Sequence, residues 1–111
     1  MHSSSHSPVE AALEAIGGKY KARILWNLSG GCLRFTELKQ SVSAASSKML
    51  TQQLRDLESR KLIHREVFPV IPPKVEYSLT SQGRSLIPIL AALQDWGRSY
   101  LRSGNAEISA D

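Results

Sequence analysis

The sequence predicts a mainly α fold with one small β-hairpin, arranged as a winged helix-turn-helix. A short helix, a tight turn and a longer amphipathic helix are indicated between about residues 36 and 60. A segment rich in β-formers and a segment of alternating polarity then flank a proline-rich stretch at 69–73. The chain has 111 residues, of which 41% are hydrophobic and 22% charged, and this is enough for one core but too little for two.

Two helices are predicted at the start of the chain. Residues 7–10, Ser-Pro-Val-Glu, have the form of a capping box, in which the serine accepts from a first-turn amide and the glutamate reaches back. The first helix ends at Gly17-Gly18, because glycine adopts conformations that other residues avoid. The second helix spans about residues 20–28. Their apolar faces are formed by Val9, Leu13 and Ile16 in the first, and by Ile24, Leu25 and Leu28 in the second.

The next two helices form the predicted helix-turn-helix. The third covers about residues 36–41, with Thr36 as its cap and with Leu38 and Val42 facing inward. A turn at 43–45 leads to Ser46, which is a good N-cap for a longer helix from about 46 to 60. Leucines in that helix recur at spacings of four and three residues, which predicts one buried face: Leu50, Leu54 and Leu57.

A β-wing is predicted after Lys61, where the pattern changes from helical to extended. Residues 62–68 are rich in β-formers, and apolar and polar residues alternate from 74 to 79. The segment between them, Pro-Val-Ile-Pro-Pro, cannot continue a β-ladder because three of its five residues lack an amide hydrogen. It is therefore expected at the tip of the hairpin.

One long helix is predicted for residues 81–101, with Thr80 as its cap. Pro88 either kinks this helix or lies near enough to its start to be tolerated. Its apolar residues cover more than one narrow stripe: Leu86, Ile87, Ile89, Leu90, Leu93, Trp96, Tyr100 and Leu101. Because a single small domain cannot bury them all, we expect a second copy of the chain to pack here in a two-fold dimer.

Charge is concentrated in the middle of the chain. Residues 17–65 hold ten Lys/Arg against three acids, although the whole chain carries only +4. A basic centre of this kind is typical of phosphate contact, and the alternative is an ordinary solvated surface. Cys32 is the only cysteine and the three histidines show no ligand spacing, so neither a metal nor another cofactor is expected.

Other classes of protein are disfavoured by the sequence. No nucleophile with a base, paired carboxylates or glycine-rich phosphate loop is recognisable, so we do not expect an enzyme. The longest apolar stretch falls short of the roughly 20 residues that a membrane span requires. The first seven residues do not resemble a secretory signal. We therefore expect a soluble, cytoplasmic protein.

The outward face of the longer helix carries the candidate base-reading residues. A helix fits the major groove, where Lys or Arg bonds guanine and Gln bonds adenine. The N-terminal half of such a helix usually makes the base contacts, so Lys48, Thr51 and Gln52 are assigned to bases and Arg55 to either bases or phosphate. Ser46 and Ser47, at the helix start, either help to anchor a phosphate or act only as caps.

Candidates for flanking contacts lie outside that helix. Lys74, beside the hairpin tip, is placed to reach the neighbouring minor groove or a phosphate. Val70 and Ile71 are unusually apolar for an exposed turn, and packing on a partner subunit is the alternative for them. Arg34 and Lys39 are weaker phosphate candidates.

Four motifs resemble the HxlR family of winged-helix regulators, which is related to the MarR type: GGKY at 17–20, RFTEL at 34–38, SKMLTQQLRDLE at 47–58 and PPKVEYSLT at 72–80. The resemblance covers about residues 7–104, and we expect 1–6 to be disordered and 105–111 to be flexible. It implies a homodimer joined through the first and last helices that binds double-stranded DNA at a pseudo-palindromic operator and represses or activates nearby genes. The alternative is a winged-helix module that binds protein without specific DNA binding.

One departure from the family concerns redox sensing. Some members of the family sense oxidants or electrophiles through a cysteine just before the proline that starts the first helix, and Ser7 stands at that place here. A hydroxyl has no accessible thiolate chemistry, so sensing by that route is not expected. We expect Cys32, which lies elsewhere, to be a small buried hydrophobic residue rather than a switch.

Overall fold

The computed structural model describes residues 7–104; the predicted disordered segment 1–6 and flexible tail 105–111 lie outside them. The elements follow the order α1 (Pro8–Ile16), α2 (Lys21–Leu28), α3 (Phe35–Ser41), α4 (Ser47–Ser59), β1 (Ile63–Phe68), β2 (Lys74–Leu79), α5 (Ser81–Arg84) and α6 (Ile87–Arg102). The two strands form one antiparallel hairpin. The predicted fold class, mainly helical with a small wing, is confirmed.

Local hydrogen bonds set where the helices begin. The capping box of α1 is present, with Ser7 Oγ accepting from the Glu10 amide at 3.1 Å and Glu10 Oε1 accepting from the Ser7 amide at 3.0 Å. The prediction that Thr36 caps α3 is wrong, because the cap is Arg34 and the helix begins at Phe35. Glu37 determines this start, since its carboxylate accepts from the Arg34 amide at 2.8 Å.

The core lies where α2, α3 and α4 meet. Each of its central side chains is at most 2% exposed: Ile24, Leu25, Leu28, Leu38, Val42, Leu50, Leu54 and Leu57. All three leucines predicted to form the buried face of α4 are among them. Ile16 of α1 also reaches the core, whereas Val9 and Leu13 of the same helix remain exposed.

A left-handed residue at Lys61 turns the chain from α4 into the wing. Lys61 has φ 63°, a conformation that usually favours glycine at the end of a helix. The Lys61 amide donates to the Glu58 carbonyl at 2.9 Å, and the Leu62 amide donates to the Leu57 carbonyl at 3.0 Å. These two bonds satisfy the last carbonyls of α4 and direct Leu62 and Ile63 into the core.

The hairpin is held against the helices by a pairing that the sequence pattern did not predict. Its strands pair from Ile63 opposite Leu79 to Phe68 opposite Lys74, which leaves residues 69–73 as the tip, as predicted. Leu33 pairs with Tyr77 of β2 through two backbone hydrogen bonds of 3.0 and 2.8 Å. The loop before α3 therefore extends the hairpin by one bridge and ties it to the helix-turn-helix.

The single long helix predicted after Thr80 is wrong, because the structure has two helices separated at Ser85 and Leu86. Pro88 has no amide hydrogen, and inside a helix its ring would clash with the carbonyl of Arg84. It is accommodated in the first turn of α6, the second of the two options left open by the sequence. Thr80 does act as a cap, but for the short α5, where it accepts from the Gly83 amide at 3.0 Å.

The prediction that Cys32 is buried is also wrong, because Cys32 is exposed. It lies in the loop after α2 and immediately precedes Leu33, which pairs with Tyr77 in a β-bridge. Neighbouring side chains point in opposite directions in such a segment. Since Leu33 packs against the core, Cys32 faces outward.

The core assignment gives a first prediction. Replacing Leu50, which is 0% exposed, by alanine removes apolar contacts and leaves a cavity between α4 and α2. We expect the free energy of unfolding in urea to fall by about 2–5 kcal/mol. The matched control is Met49→Ala, one residue away and 40% exposed, for which we expect a loss below about 1 kcal/mol. Equal losses for the two variants would contradict the orientation of α4.

Candidate nucleic-acid interface

The exposed face of α4 carries three long polar side chains. Because the leucines face the core, Lys48, Gln52 and Arg55 lie on the opposite, exposed side. Within residues 7–104 none of the three forms a hydrogen bond or an ion pair with another side chain. Their donors are therefore available to a molecule outside the protein, held on a helix whose rotation is determined by its buried face.

Both serines at the start of α4 are exposed, and one of them has a clear structural role. Ser46 Oγ accepts from the Met49 amide at 3.1 Å, so the capping alternative from the sequence is correct for this residue. A hydroxyl that accepts can also donate its own proton. Capping by Ser46 thus leaves one donor at the helix start, where the free amides and the helix dipole favour an anion.

A cleft of about 280 Å³ separates α4 from the hairpin and contains a basic residue that sequence reasoning did not single out. Its lining residues are Thr51, Leu54, Arg55, Glu58, Arg65 and Tyr77. Arg65 lies opposite Tyr77 in the hairpin and therefore shares the face that turns toward α4. Strand alternation alone predicts that Arg65 lies on the same face of the strand as Ile63. Only the tertiary fold brings that face close to Arg55.

The other predicted flanking residues lie apart from this cleft. Lys74 is on the opposite face of the hairpin, where its Nζ is 4.8 Å from the centroid of the Phe68 ring and 3.5 Å from Glu76 Oε2. Lys39 Nζ donates to the Ser43 carbonyl at 3.4 Å, and Arg34 is exposed at the start of α3. The structure thus brings Thr51 and Arg55 together with Arg65, but does not bring Lys74, Lys39 or Arg34 into the same cleft.

Asp56 links α4 to α2. Its Oδ2 lies 2.7 Å from Lys21 Nζ and also 2.7 Å from Arg60 Nε. The hydrogen bond from Lys21 holds the pKa of Asp56 below its usual value; burial opposes this effect and Arg60 adds to it. Two of the ten basic residues in the centre of the chain are therefore ion-paired with Asp56. The positive charge available to a ligand is smaller than the number of basic residues in the sequence indicates.

A second set of exposed side chains, this time apolar, is distributed over α1 and α6. We call it the terminal-helix face, and it consists of side chains that are each 38–67% exposed: Val9, Leu13, Ile89, Leu93, Trp96, Tyr100 and Leu101. The Trp96 and Tyr100 rings stack with centroids 4.9 Å apart. An open apolar groove of about 410 Å³ adjoins it between α2 and α6, lined by Ala22, Arg23, Trp26, Leu90, Leu93 and Gln94. Exposed apolar surface of this extent is typical of an interaction site.

Across residues 7–104, no cluster of three or more His, Cys, Asp or Glu side chains could hold a metal ion. None of the helices in that range is long and apolar enough to cross a membrane.

Comparison with known proteins gives a consistent result. A profile of the HxlR-like helix-turn-helix matches residues 15–105. An uncharacterized HTH-type transcriptional regulator of Methanothermobacter thermautotrophicus is 51% identical over 92 residues, which are 83% of this chain and 70% of the relative. The profile spans the helix-turn-helix, the wing and α6.

Solved structures agree with these sequence matches. The reduced form of the redox regulator HypR superimposes with a TM-score of 0.86 at 43% identity, covering 90% of this chain and 99% of HypR. A MarR-family regulator from Porphyromonas gingivalis superimposes with a TM-score of 0.79 at 32% identity, covering 84% and 91% of the two chains. The match extends over nearly the whole length of both neighbours.

The Asp56 contacts give a prediction about pH. Because the pKa of Asp56 is lowered in the folded state, its carboxylate stabilises the fold above its ordinary pKa near 3.8, and this contribution is lost as pH falls through the lowered pKa. We expect Asp56→Asn to reduce the free energy of unfolding near neutral pH by about 1 kcal/mol. In urea titrations the difference from the unmodified chain should narrow below pH 3.8. Glu58→Gln, on the same helix, is the control, and a difference independent of pH would contradict the role given to Asp56.

Proposed function

This chain belongs to the HxlR-like helix-turn-helix family of transcriptional regulators, which bind DNA and are not enzymes, and from that premise we propose a binding geometry for it. The chain acts as a homodimer in the cytoplasm, where each subunit inserts α4 into a major groove of a pseudo-palindromic operator and lays its wing on flanking DNA. The observation that carries this proposal is the exposed face of α4, whose Lys48, Gln52 and Arg55 have no partner among the described residues.

Base recognition is assigned to the N-terminal half of α4. Gln52 offers a donor and an acceptor that match the major-groove edge of adenine, and Lys48 offers a donor to guanine. Thr51 is half-buried beside them and can contact a base or a thymine methyl group. These three residues set sequence preference, because phosphate contacts carry no direct sequence information.

Phosphate contacts surround the reading face. Arg55 and Arg65 line the cleft between α4 and the wing, so a DNA strand running past this cleft would meet both guanidinium groups. Ser46 and Ser47 are proposed to contact a phosphate at the start of α4. Arg34, Lys39 and Lys74 remain proposed contacts on the flanks, and Lys74 would have to leave Glu76 at least in part.

Dimerisation is assigned to the terminal-helix face. A partner that covers its apolar side chains and the adjoining groove would remove the large exposed surface from water. Two-fold symmetry then presents two copies of α4 to the same side of the duplex, about 34–36 Å apart. The operator would accordingly contain two inverted half-sites separated by one helical turn.

Redox switching through an intramolecular disulfide is not part of this proposal. The structural neighbour HypR is a redox regulator whose oxidized and reduced forms have both been solved. The present chain has Ser7 where the family resemblance places a sensing cysteine, and it contains one cysteine in all. A single thiol cannot form a disulfide within its own chain.

The division between base and phosphate contacts is tested with two variants. Gln52→Ala should lose about 1–3 kcal/mol of discrimination at the base it reads. Lys74→Ala should weaken binding to all duplexes alike and flatten the slope of log K against log salt by about 1. Both are measured by titrating a duplex selected from a random pool by the full chain, at several salt concentrations.

Arg98→Ala is the matched control, because it removes a positive charge from α6 and not from the proposed DNA-binding side. Unchanged binding by both Gln52→Ala and Lys74→Ala would overturn the assignment. If the unmodified chain binds no duplex even at low salt, the protein-binding alternative replaces DNA recognition.

The proposed dimer gives a further prediction. Leu93 is 50% exposed, so Leu93→Asp should leave the fold intact but bury a charge in the interface. We expect sedimentation equilibrium to show monomers, and affinity for a duplex with two half-sites to fall at least about tenfold. Arg98→Ala on the same helix should stay dimeric. A dimeric Leu93→Asp protein with unchanged affinity would exclude this part of α6 from the interface.

A further inference from the structure

The cleft between α4 and the wing contains opposite charges that do not pair with each other. Arg55 and Glu58 are three residues apart on α4, so they are neighbours on its surface. Arg65 of β1 lines the same cleft. Within residues 7–104 none of the three forms an ion pair or a side-chain hydrogen bond. The cleft, of about 280 Å³, therefore leaves room for a ligand between these charges.

A buried hydroxyl group borders the same cleft. Tyr77 is only 8% exposed, and its hydroxyl has no hydrogen-bond partner among residues 7–104. No polar side-chain atom in that range is both sealed from solvent and without a partner, so this hydroxyl opens to solvent, and Tyr77 lines the cleft. A tyrosine that is buried this deeply usually finds a partner for its hydroxyl. The unused donor indicates that its partner comes from outside the protein.

The polar groups around the cleft determine which ligand would fit. The guanidinium groups of Arg55 and Arg65 carry several N–H donors each and match the oxygens of a phosphate. The hydroxyls of Thr51 and Tyr77 add one donor each. The ionised carboxylate of Glu58 can only accept. A complementary ligand therefore has oxygens that accept, one O–H group that donates to Glu58, and a negative charge that balances the two arginines against the one glutamate.

We propose that the cleft is an effector site for a phosphate monoester or for inorganic phosphate. Such a phosphoryl group offers oxygens to the two guanidinium groups and to the Tyr77 hydroxyl, and a protonated oxygen that donates to Glu58. A free monoester loses that proton with a pKa of about 6, so binding near neutral pH retains or takes up one proton. A phosphodiester of DNA has no such proton, and Glu58 therefore favours the monoester over the DNA backbone.

Occupation of the cleft would regulate DNA binding, and this consequence rests on the proposed function. A bound phosphoryl group engages Arg55 and Arg65, the two residues assigned to the DNA backbone beside α4. The same guanidinium donors cannot serve both ligands fully, so the effector lowers the affinity for the duplex. Ligand pockets usually measure about 300–1,000 Å³, and a cleft near the lower end of this range suits a phosphoryl group on a short carbon stem.

Inorganic phosphate and sulfate are the probes that test the site. They have similar size and shape, but near neutral pH only phosphate has a proton to donate to Glu58. Titration calorimetry of the full chain at constant ionic strength should give an affinity for phosphate at least about tenfold higher than for sulfate. Glu58→Gln should reduce this preference to below about threefold, because the amide removes the repulsion and can donate to sulfate.

Two further variants test the donors. Tyr77→Phe removes only a hydroxyl that bonds nothing in the protein, so it should keep the thermal stability of the unmodified chain and bind phosphate about tenfold more weakly. Arg65→Gln should also lose at least about tenfold in phosphate affinity. The matched control is Arg84→Gln, which removes one exposed positive charge outside the cleft and should bind phosphate as the unmodified chain does.

The regulatory role is tested by competition with a duplex selected from a random pool by the full chain. At constant ionic strength, phosphate should displace the unmodified chain from this duplex at concentrations where sulfate does not. Glu58→Gln should respond to the two anions alike, because it no longer distinguishes a protonated oxygen.

The outcomes separate the site from the proposed function. Equal affinity of the unmodified chain for phosphate and sulfate, or unchanged phosphate affinity of Tyr77→Phe, would overturn the inference and leave the proposed function standing. A chain that prefers phosphate to sulfate but binds no duplex would support the site and overturn the proposed function. Preferential phosphate binding that does not displace the duplex would overturn the regulatory role.

Discussion

The burial of the α4 leucines against α2 and α3 is the interaction on which the rest of the structure depends. Leu50, Leu54 and Leu57 lie at one core and determine how α4 is rotated about its own axis. Since successive positions on a helix are separated by a fixed angle, burying this face turns Lys48, Gln52 and Arg55 outward. Asp56 adds a polar link from the flank of α4 to Lys21 of α2. A rigid, oriented helix is what a groove-reading surface requires, because contacts to base edges depend on geometry.

A second constraint places the wing relative to that helix. The left-handed turn at Lys61 begins the hairpin directly after α4, and the pairing of Leu33 with Tyr77 holds it from the other side. Together they bring Arg65 to the cleft beside Arg55 and leave the tip extended. The same hairpin thus has a basic side near α4, a partly neutralised side around Lys74, and an apolar end. These three surfaces would meet different parts of a duplex.

Two groups of exposed apolar residues within residues 7–104 differ in their chemistry. The terminal-helix face is broad and includes the stacked Trp96 and Tyr100, which suits burial by a second copy of the chain. The wing tip is smaller and holds two exposed aliphatic residues, Val70 and Ile71, among three prolines. Such a protein would combine charge for affinity, polar groups on α4 for sequence, and apolar contact for self-association.

Much of this architecture could be read from local patterns, because helical and strand periodicities reflect which residues face the core. The leucine spacing of α4, the caps at Ser7 and Ser46 and the proline-rich hairpin tip were all determined by residues close together in sequence, and so was the outward face of Lys48, Gln52 and Arg55.

Contacts between distant segments could not be predicted in this way. The Leu33–Tyr77 bridge, the placement of Arg65, the partial neutralisation of the basic centre by Asp56 and the exposure of Cys32 depend on how elements pack. The break before α6 was only partly predictable. Pro88 allowed either a kink within one helix or the start of a new helix. The folded chain, in which α5 packs against Leu62, has the new helix start. Sequence alone determined which faces exist, whereas the tertiary structure decided which of them meet, because that depends on distances that no local spacing contains.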